Sequence, residues 1–399
     1  MPLLESPTRV KILRTFVIGV FLSWVNWPLV VNAEITLDEA GLFSIYGDGR
    51  LRVEKDWDSY RGDGTRRDDR TRMRIRARLG LKLKPTDWLE FGVRGRTGND
   101  DHQQSGHITI KDFDDNPNGA SDVNLDKWYV KGNWKMLSVW LGRNSLPWWK
   151  QNSLFWDDDA TPKGTGLIFK PSIGSGTLIV NAGYYELPAG MRHYTGEAGS
   201  LQLIYEQDSE RSGFTLAGGV MEVDADAVPG DYASTTLLQD NALRDYQLWV
   251  LQAQWRMHTL PQKLYFGADY LHNGQSYSPT DPDVFTAFHH NDVDGYVLQA
   301  VYGGVKKRGD WLLGAYYTRL ESLAIHNSYA QDDWVRWGSA DQTSASNMKG
   351  PELRAGIGLG HNMNLITRLF LIRAIEKDLP SDERKQTGKR FRIDFNWSF

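Results

Sequence analysis

Residues 70–83 alternate with a period of two. Met73, Ile75, Ala77, Leu79, Leu81 and Leu83 fall on one side, and Arg72, Arg74, Arg76, Arg78, Gly80 and Lys82 on the other. Successive side chains of a strand point to opposite faces, so the segment predicts a strand with one apolar and one charged face. The last residues repeat the pattern, with Phe391, Ile393, Phe395, Trp397 and Phe399 set against Arg390, Arg392, Asp394, Asn396 and Ser398. In 351–360, Leu353, Ala355, Ile357 and Leu359 oppose Arg354, Gly356 and Gly358. A soluble sheet would bury the apolar face in a core. In a transmembrane barrel the same face meets lipid and the polar face meets water.

The rest of the chain decides between them. The pattern places about sixteen strands, each near the length that crosses the hydrocarbon at a tilt. They run 44–54, 70–83, 88–97, 122–132, 136–144, 164–171, 176–186, 198–207, 213–223, 245–256, 262–272, 293–304, 310–320, 351–360, 363–374 and 388–399. In 363–374 the run Leu369-Phe370-Leu371-Ile372 does not alternate and leaves the register open. The gaps alternate. Short turns at 84–87, 132–135, 171–175, 208–212, 257–261, 305–309 and 361–362 are interleaved with longer segments such as 98–121, 145–163, 224–244, 273–292 and 321–350. Short periplasmic turns and long extracellular loops produce this asymmetry in an up-and-down barrel with both termini at the periplasmic side. A β-sandwich has no reason to alternate in step with strand parity. The expected fold is therefore all-β, a transmembrane antiparallel up-and-down barrel.

Composition agrees. The chain is 12% aromatic, with 16 Trp and 17 Tyr, yet its mean hydropathy is only −0.49. Helical membrane proteins are not this polar, and no 18-residue apolar run follows residue 33. A barrel can be, because half of each strand and all the loops face water. Residues 1–33 read as a secretory signal: Arg9, Lys11 and Arg14 precede an apolar run, and Val31-Asn32-Ala33 offers a cleavage site before Glu34. The barrel is then one domain over 34–399. Without the leader the net charge moves from −4 to near −6, which does not favour nucleic acid as a partner. There is no cysteine for a lipid anchor or a disulfide.

If apolar faces meet lipid, the alternate faces line the lumen. Arg72, Arg74, Arg76 and Arg78 then form a ladder with steps of about 7 Å. Arg94 is expected opposite Arg76 or Arg78, and Arg96 opposite Arg74 or Arg76. Arg50 and Arg52 lie on the neighbouring strand, and barrel closure adds Arg390 and Arg392. Like charges this close repel, and a water-filled channel screens them. Guanidinium forks fit carboxylate, sulfate or phosphate, and rings of Arg favour anions in pores. The competing reading is a charged face balanced by acids such as Glu54 and Glu90.

The loop 144–163 holds Trp148, Trp149, Phe155 and Trp156, too many apolar side chains for a loop left in water. Folded into the barrel it would constrict the lumen, with Asp157, Asp158 and Asp159 facing the arginines and the Trp rings available to stack on sugars. A calcium site on the three Asp lacks the usual spacing. His289-His290 offers a weak metal pair, and no cofactor is implied. The motifs G-x-S-x-G, HExxH and the P-loop are absent, so no enzyme is predicted.

The stretch Val139-Trp140-Leu141-Gly142-Arg143, continued through Pro147-Trp148 to Trp156-Asp157-Asp158-Asp159 and Gly164, resembles the strand-and-loop signature of the outer-membrane porins of Gram-negative bacteria. The terminal Phe399 is similar to the assembly signal of such proteins, and the arginine wall resembles that of alginate-export and oligosaccharide porins in architecture. The resemblance implies passive transport of ions or small hydrophilic solutes across the outer membrane. The implied partners are the bilayer, lipopolysaccharide and the barrel-assembly machinery. The alternative is a plugged barrel whose long extracellular loops serve a structural or adhesive role.

Overall fold

A computed structural model of the chain describes residues 34–98, 105–116, 121–187, 194–227, 244–334 and 345–399. The leader expected at 1–33 lies outside the described residues. Sixteen antiparallel strands form a closed barrel. They are β1 Phe43–Tyr60, β2 Arg70–Thr86, β3 Leu89–Thr97, β4 Val123–Trp134, β5 Leu137–Arg143, β6 Lys163–Phe169, β7 Gly176–Glu186 and β8 Tyr194–Asp208. The second half comprises β9 Ser212–Ala227, β10 Tyr246–Met257, β11 Leu264–Asn273, β12 Asp294–Gly303, β13 Trp311–Leu320, β14 Met348–Gly360, β15 Met363–Arg373 and β16 Thr387–Ser398. Each expected strand overlaps one of these. Neighbours in sequence are neighbours in the sheet, and β16 returns to pair with β1. A six-residue helix, α1 Val284–His289, sits in the loop between β11 and β12.

The outer face is apolar and open. More than half of the surface of Leu79, Leu216, Leu251 and Leu313 is exposed. That is intolerable in water and ordinary against lipid. Aromatic side chains collect at both ends of this band. Trp88 and Trp134 stack near the short turns, as do Trp255 and Phe266, while Tyr302 packs on Trp311. Tyr184, Trp249, Tyr270, Tyr296 and Tyr317 lie exposed near the long-loop ends. These are the two interfacial girdles of a membrane barrel. Among the described residues no helix is long and apolar enough to cross a membrane.

The seam between β16 and β1 depends on glycine. The backbone of Phe399 pairs with Gly47 in both directions, at 2.9 and 3.0 Å. Its ring lies over Gly47, and Trp397 lies over Gly49, so close that any Cβ there would overlap the ring. Aromatic side chains covering strand glycines in this way pin the register of a sheet.

Three local expectations are corrected. Thr86 pairs with Leu89, so β2 runs three residues further than the pattern suggested and the turn is Asp87-Trp88. Arg96 therefore stands opposite Arg78, and Arg94 opposite Gly80 rather than another arginine. Secondly, the loop 98–121 contains a strand, Ile108–Asp112, which pairs with the upper part of β2 after the chain turns away at Gly98 (φ 105°). Thirdly, β15 keeps a regular register. Leu369 and Leu371 face outward, whereas Phe370 and Ile372 are buried inside, against a loop described below.

Three substitutions test the outer face and the seam. Leu79→Arg should destabilise the folded barrel by about 2–4 kcal/mol, the range for Arg near the bilayer midplane. Gly49→Val should lose about 1–3 kcal/mol through overpacking against Trp397, while Gly199→Ala, with open space at its Cβ, should be near neutral. Urea titration of folded barrels in liposomes checks all three; equal loss from Gly49 and Gly199 would remove the seam argument.

Candidate functional site

On the inward faces of β16, β1 and β2, acids of one strand stand opposite arginines of the next at several positions across the ladders. Glu54 stands opposite Arg392 on one side and Arg72 on the other, Arg52 opposite Asp394, Asp56 opposite Arg390, and Asp48 opposite Arg78. Such cross-strand pairs are the units that stabilise a sheet face. The ion pairs are close: Arg52 Nε to Asp394 at 2.7 Å, Arg390 Nε to Asp56 at 2.5 Å, and Arg392 Nε to Glu54 at 3.0 Å. Arg72 and Arg74 both reach Glu54, and Arg94 grips Asp126 with two nitrogens. These arginines lie on neighbouring strands, and carboxylates, not water alone, neutralise their charges. Arg52, Arg96 and Arg392 are almost wholly buried. A buried guanidinium is tolerable only because its partner is in place. Arg50 differs: its hydrogen bond goes to the neutral Asn396, at 2.7 Å, and it stands opposite Arg76.

The sequence reading missed part of this wall. Arg354 and Arg368 extend it onto β14 and β15, both held by Glu352 at 2.8 and 2.7 Å. Arg354 was visible in the alternation of β14. Arg368 was hidden because Phe370 and Ile372 obscured the register of its strand.

The loop between β5 and β6 crosses the lumen. At one end Gln202 of β8 accepts from the Trp149 amide (2.7 Å) and donates to its carbonyl (2.8 Å). Gln151 and Asn152 both donate to the Asp269 carboxylate of β11, each at 2.6 Å. At the other end the Asp159 carboxylate accepts from Arg78 (2.7 Å) and Arg76 (3.1 Å), while Arg96 donates to its carbonyl (2.9 Å). Trp148 packs on Phe155, Trp149 lies among Ile179, Ile204 and Ala217, and Trp156 stacks on Tyr329. All three Trp are at least 95% buried, so none presents a face to a passing sugar. The three Asp also separate. Asp159 alone meets the arginines; Asp158 pairs with Lys150 (2.7 Å), and the Asp157 carboxylate accepts from the Asp159 amide.

A second infolded loop lies between β13 and β14. Leu323, Ile325, Tyr329 and Trp334 are buried, and Trp334 packs edge-on against Phe370. The Asp157 amide donates to the Tyr329 carbonyl at 2.7 Å, joining the two loops. Asp333 enters the arginine wall, with Arg368 at 2.6 Å, Arg52 at 3.3 Å and Arg392 also in contact. The run Leu323-Ala324-Ile325 followed by Tyr329 and Trp334 is the same apolar signal that betrayed 144–163, diluted over a longer stretch. The pair His289-His290 holds no metal geometry: His289 Nε2 donates to the Asp378 carbonyl, and Nδ1 contacts Asp292 and Ser322.

The two loop carboxylates that dock are acidified. Burial alone would raise Asp159, but Arg76, Arg78 and Arg96 outweigh it and hold the group well below the usual carboxylate range. Burial is likewise overridden at Asp333 by Arg392, Arg52 and Arg368. Asp157 moves the other way, raised by burial and by Asp159, Asp332 and Asp158.

A closed barrel of sixteen strands, lipid-facing outside, with charged inner walls and an infolded loop after β5, defines an outer-membrane barrel of the porin type. Residues 59–189, about a third of the chain, match the family profile described as "Putative porin". OprB of Pseudomonas putida, in its high-pH structure, is similar in fold with a TM-score of 0.53 at 13% identity, over 90% of this chain and 94% of that one. OmpF of Salmonella typhi, solved with daunomycin, gives a TM-score of 0.51 at 11% identity, over 92% of this chain and 100% of that one. No curated protein matches the chain in sequence. The fold is that of an outer-membrane porin barrel.

The acidified carboxylates carry a pH prediction. A depressed folded pKa stabilises docking above the free value of about 3.9 and loses it as pH falls through the folded value. The raised Asp157 favours docking as pH falls. Both loops should therefore stay docked from pH 7 to 5 and loosen below about pH 4. Hydrogen exchange at the Trp149 and Asp157 amides, corrected for intrinsic rate, reads this directly. Loss of protection already at pH 5 would contradict the assignment.

Proposed function

We propose that this porin passes small anionic hydrophilic solutes, acidic oligosaccharides among them, along its arginine-rich wall. One observation carries the reading. Among the described residues, the twelve arginines Arg50, Arg52, Arg72, Arg74, Arg76, Arg78, Arg94, Arg96, Arg354, Arg368, Arg390 and Arg392 share one side of the barrel interior with eight partner carboxylates. Those are Asp48, Glu54, Asp56, Asp126, Asp159, Asp333, Glu352 and Asp394. The residual charge is positive, and a narrow low-dielectric passage focuses it on ions within. The loop carrying Asp159 narrows the lumen beside this wall and acts as the constriction. Phe399 and its strand serve as the signal to the assembly machinery. The bilayer and lipopolysaccharide surround the outer face.

The buried aromatic packing of two loops inside the barrel favours a second reading, a plugged barrel whose extracellular loops do the work. Conductance separates the two. Refolded protein in planar bilayers should show ohmic steps, and silence would leave the plugged reading.

Reversal potentials in a salt gradient should favour chloride at low salt and lose that preference as salt rises, because screening acts over about 10 Å at 0.1 M. Arg50→Gln with Arg74→Gln should move the potential toward cations. Cation preference in the parent, abolished by Asp159→Asn, would hand selectivity to the loop instead. Removal of Phe399 should slow assembly in cells without changing the conductance of molecules that do assemble; unchanged insertion would leave Phe399 an ordinary seam residue.

A further inference from the structure

Asp333 sits in a socket that the strands have already built. Its Oδ2 accepts from Arg368 Nη1 at 2.6 Å, and its Oδ1 from Arg52 Nη1 at 3.3 Å and from Arg392. Arg390 donates to its carbonyl at 2.8 Å. Each arginine of the socket also keeps a carboxylate on the sheet: Arg52 holds Asp394 through two nitrogens, Arg392 holds Glu54, and Arg368 holds Glu352. The forks are therefore oriented whether or not Asp333 is present. Asp333 comes from a loop, at the end of a turn in which Gln331 Oε1 accepts from the Asp333 and Trp334 amides. The side chains of Arg52 and Arg392 are 1% exposed, whereas that of Asp333 is 20% exposed. Water reaches the carboxylate while the carboxylate covers the forks.

We propose that the socket of Arg52, Arg368 and Arg392 is a binding site for carboxylate solutes, and that Asp333 is its built-in competitor. A solute carboxylate takes the place of the Asp333 side chain, and the 331–334 turn lifts from the wall. The chemistry is that of the group already bound there: one planar carboxylate spanned by guanidinium donors. Three cations facing one side chain would leave a positive hollow once it departs, which a compact organic acid refills. An intramolecular competitor acts at an effective concentration on the order of mM, so solutes would bind weakly and exchange fast, as transport needs. This inference rests on the channel reading for its purpose, but the socket itself is testable without it.

The probe is sodium gluconate, with glucose as the polyol lacking a carboxylate, titrated calorimetrically at low salt into the full-length barrel in detergent. Asp333→Asn should bind gluconate at least tenfold more tightly than the parent, and glucose should bind to neither. Adding Arg368→Gln to Asp333→Asn should remove the gain. Trp334→Ala leaves every charge in place but weakens the loop's anchor on Phe370, so it should shift gluconate affinity in the same direction. Heat-modifiable mobility on gels confirms that each variant is folded. Gluconate affinity unchanged or weakened in both Asp333→Asn and Trp334→Ala overturns the proposal, as does equal binding of glucose. Parent and variants that bind gluconate as expected but never conduct in bilayers would sink the channel reading and leave the socket standing.

Discussion

Everything inside this barrel depends on how buried guanidinium groups are neutralised. Moving an isolated ion from water into a protein interior costs several kcal/mol even after relaxation. The chain meets that cost by placing acids opposite arginines across β16, β1 and β2, so that Glu54 serves Arg72, Arg74 and Arg392 at once. The strands alone do not balance the wall. The remaining counter-charge is delivered by two loops, through Asp159 to Arg76 and Arg78, and through Asp333 to Arg52, Arg368 and Arg392. Electrostatics on one side of the lumen therefore determine where the loops end.

Their middles are held by a different interaction. Opposite the arginine wall, the inner faces of β8 to β13 carry mainly apolar residues and amides, with few charges such as Asp269 and Arg256. Met221, Leu248, Val250, Leu271, Val297 and Leu320 are buried there against the loop aromatics. Gln202 and Asp269 fix the loop backbone and amides by hydrogen bonds. The lumen has a dry side that packs the loops and a charged side that receives their carboxylates.

The barrel was legible in the sequence because its code is local. Period-two alternation and alternating gap lengths need only neighbours, and they located all sixteen strands. The direction of the arginines was legible for the same reason. Their neutralisation was not, since Arg52 and Asp394 lie 342 positions apart and meet only at the closing seam. The register between β2 and β3 slipped because Pro85-Thr86 resembles a turn, although the strand passes through it. Phe370 and Ile372 looked like noise in β15 because their reason, Trp334 of a loop, comes from elsewhere in the chain. The Trp residues of 144–163 were read correctly as unfit for water, but their burial removes the sugar-stacking role the sequence suggested.

The central claim is that loop carboxylates and wall arginines hold each other in place. A double-mutant cycle on Asp159→Asn and Arg78→Gln, read by reversible urea unfolding in liposomes, tests it most directly. The account predicts non-additive losses, with a coupling energy of about 1–3 kcal/mol, the range for residues in one ion-pair network. Additivity within about 0.3–0.5 kcal/mol, as for distant independent sites, would mean that the loop does not dock on the wall.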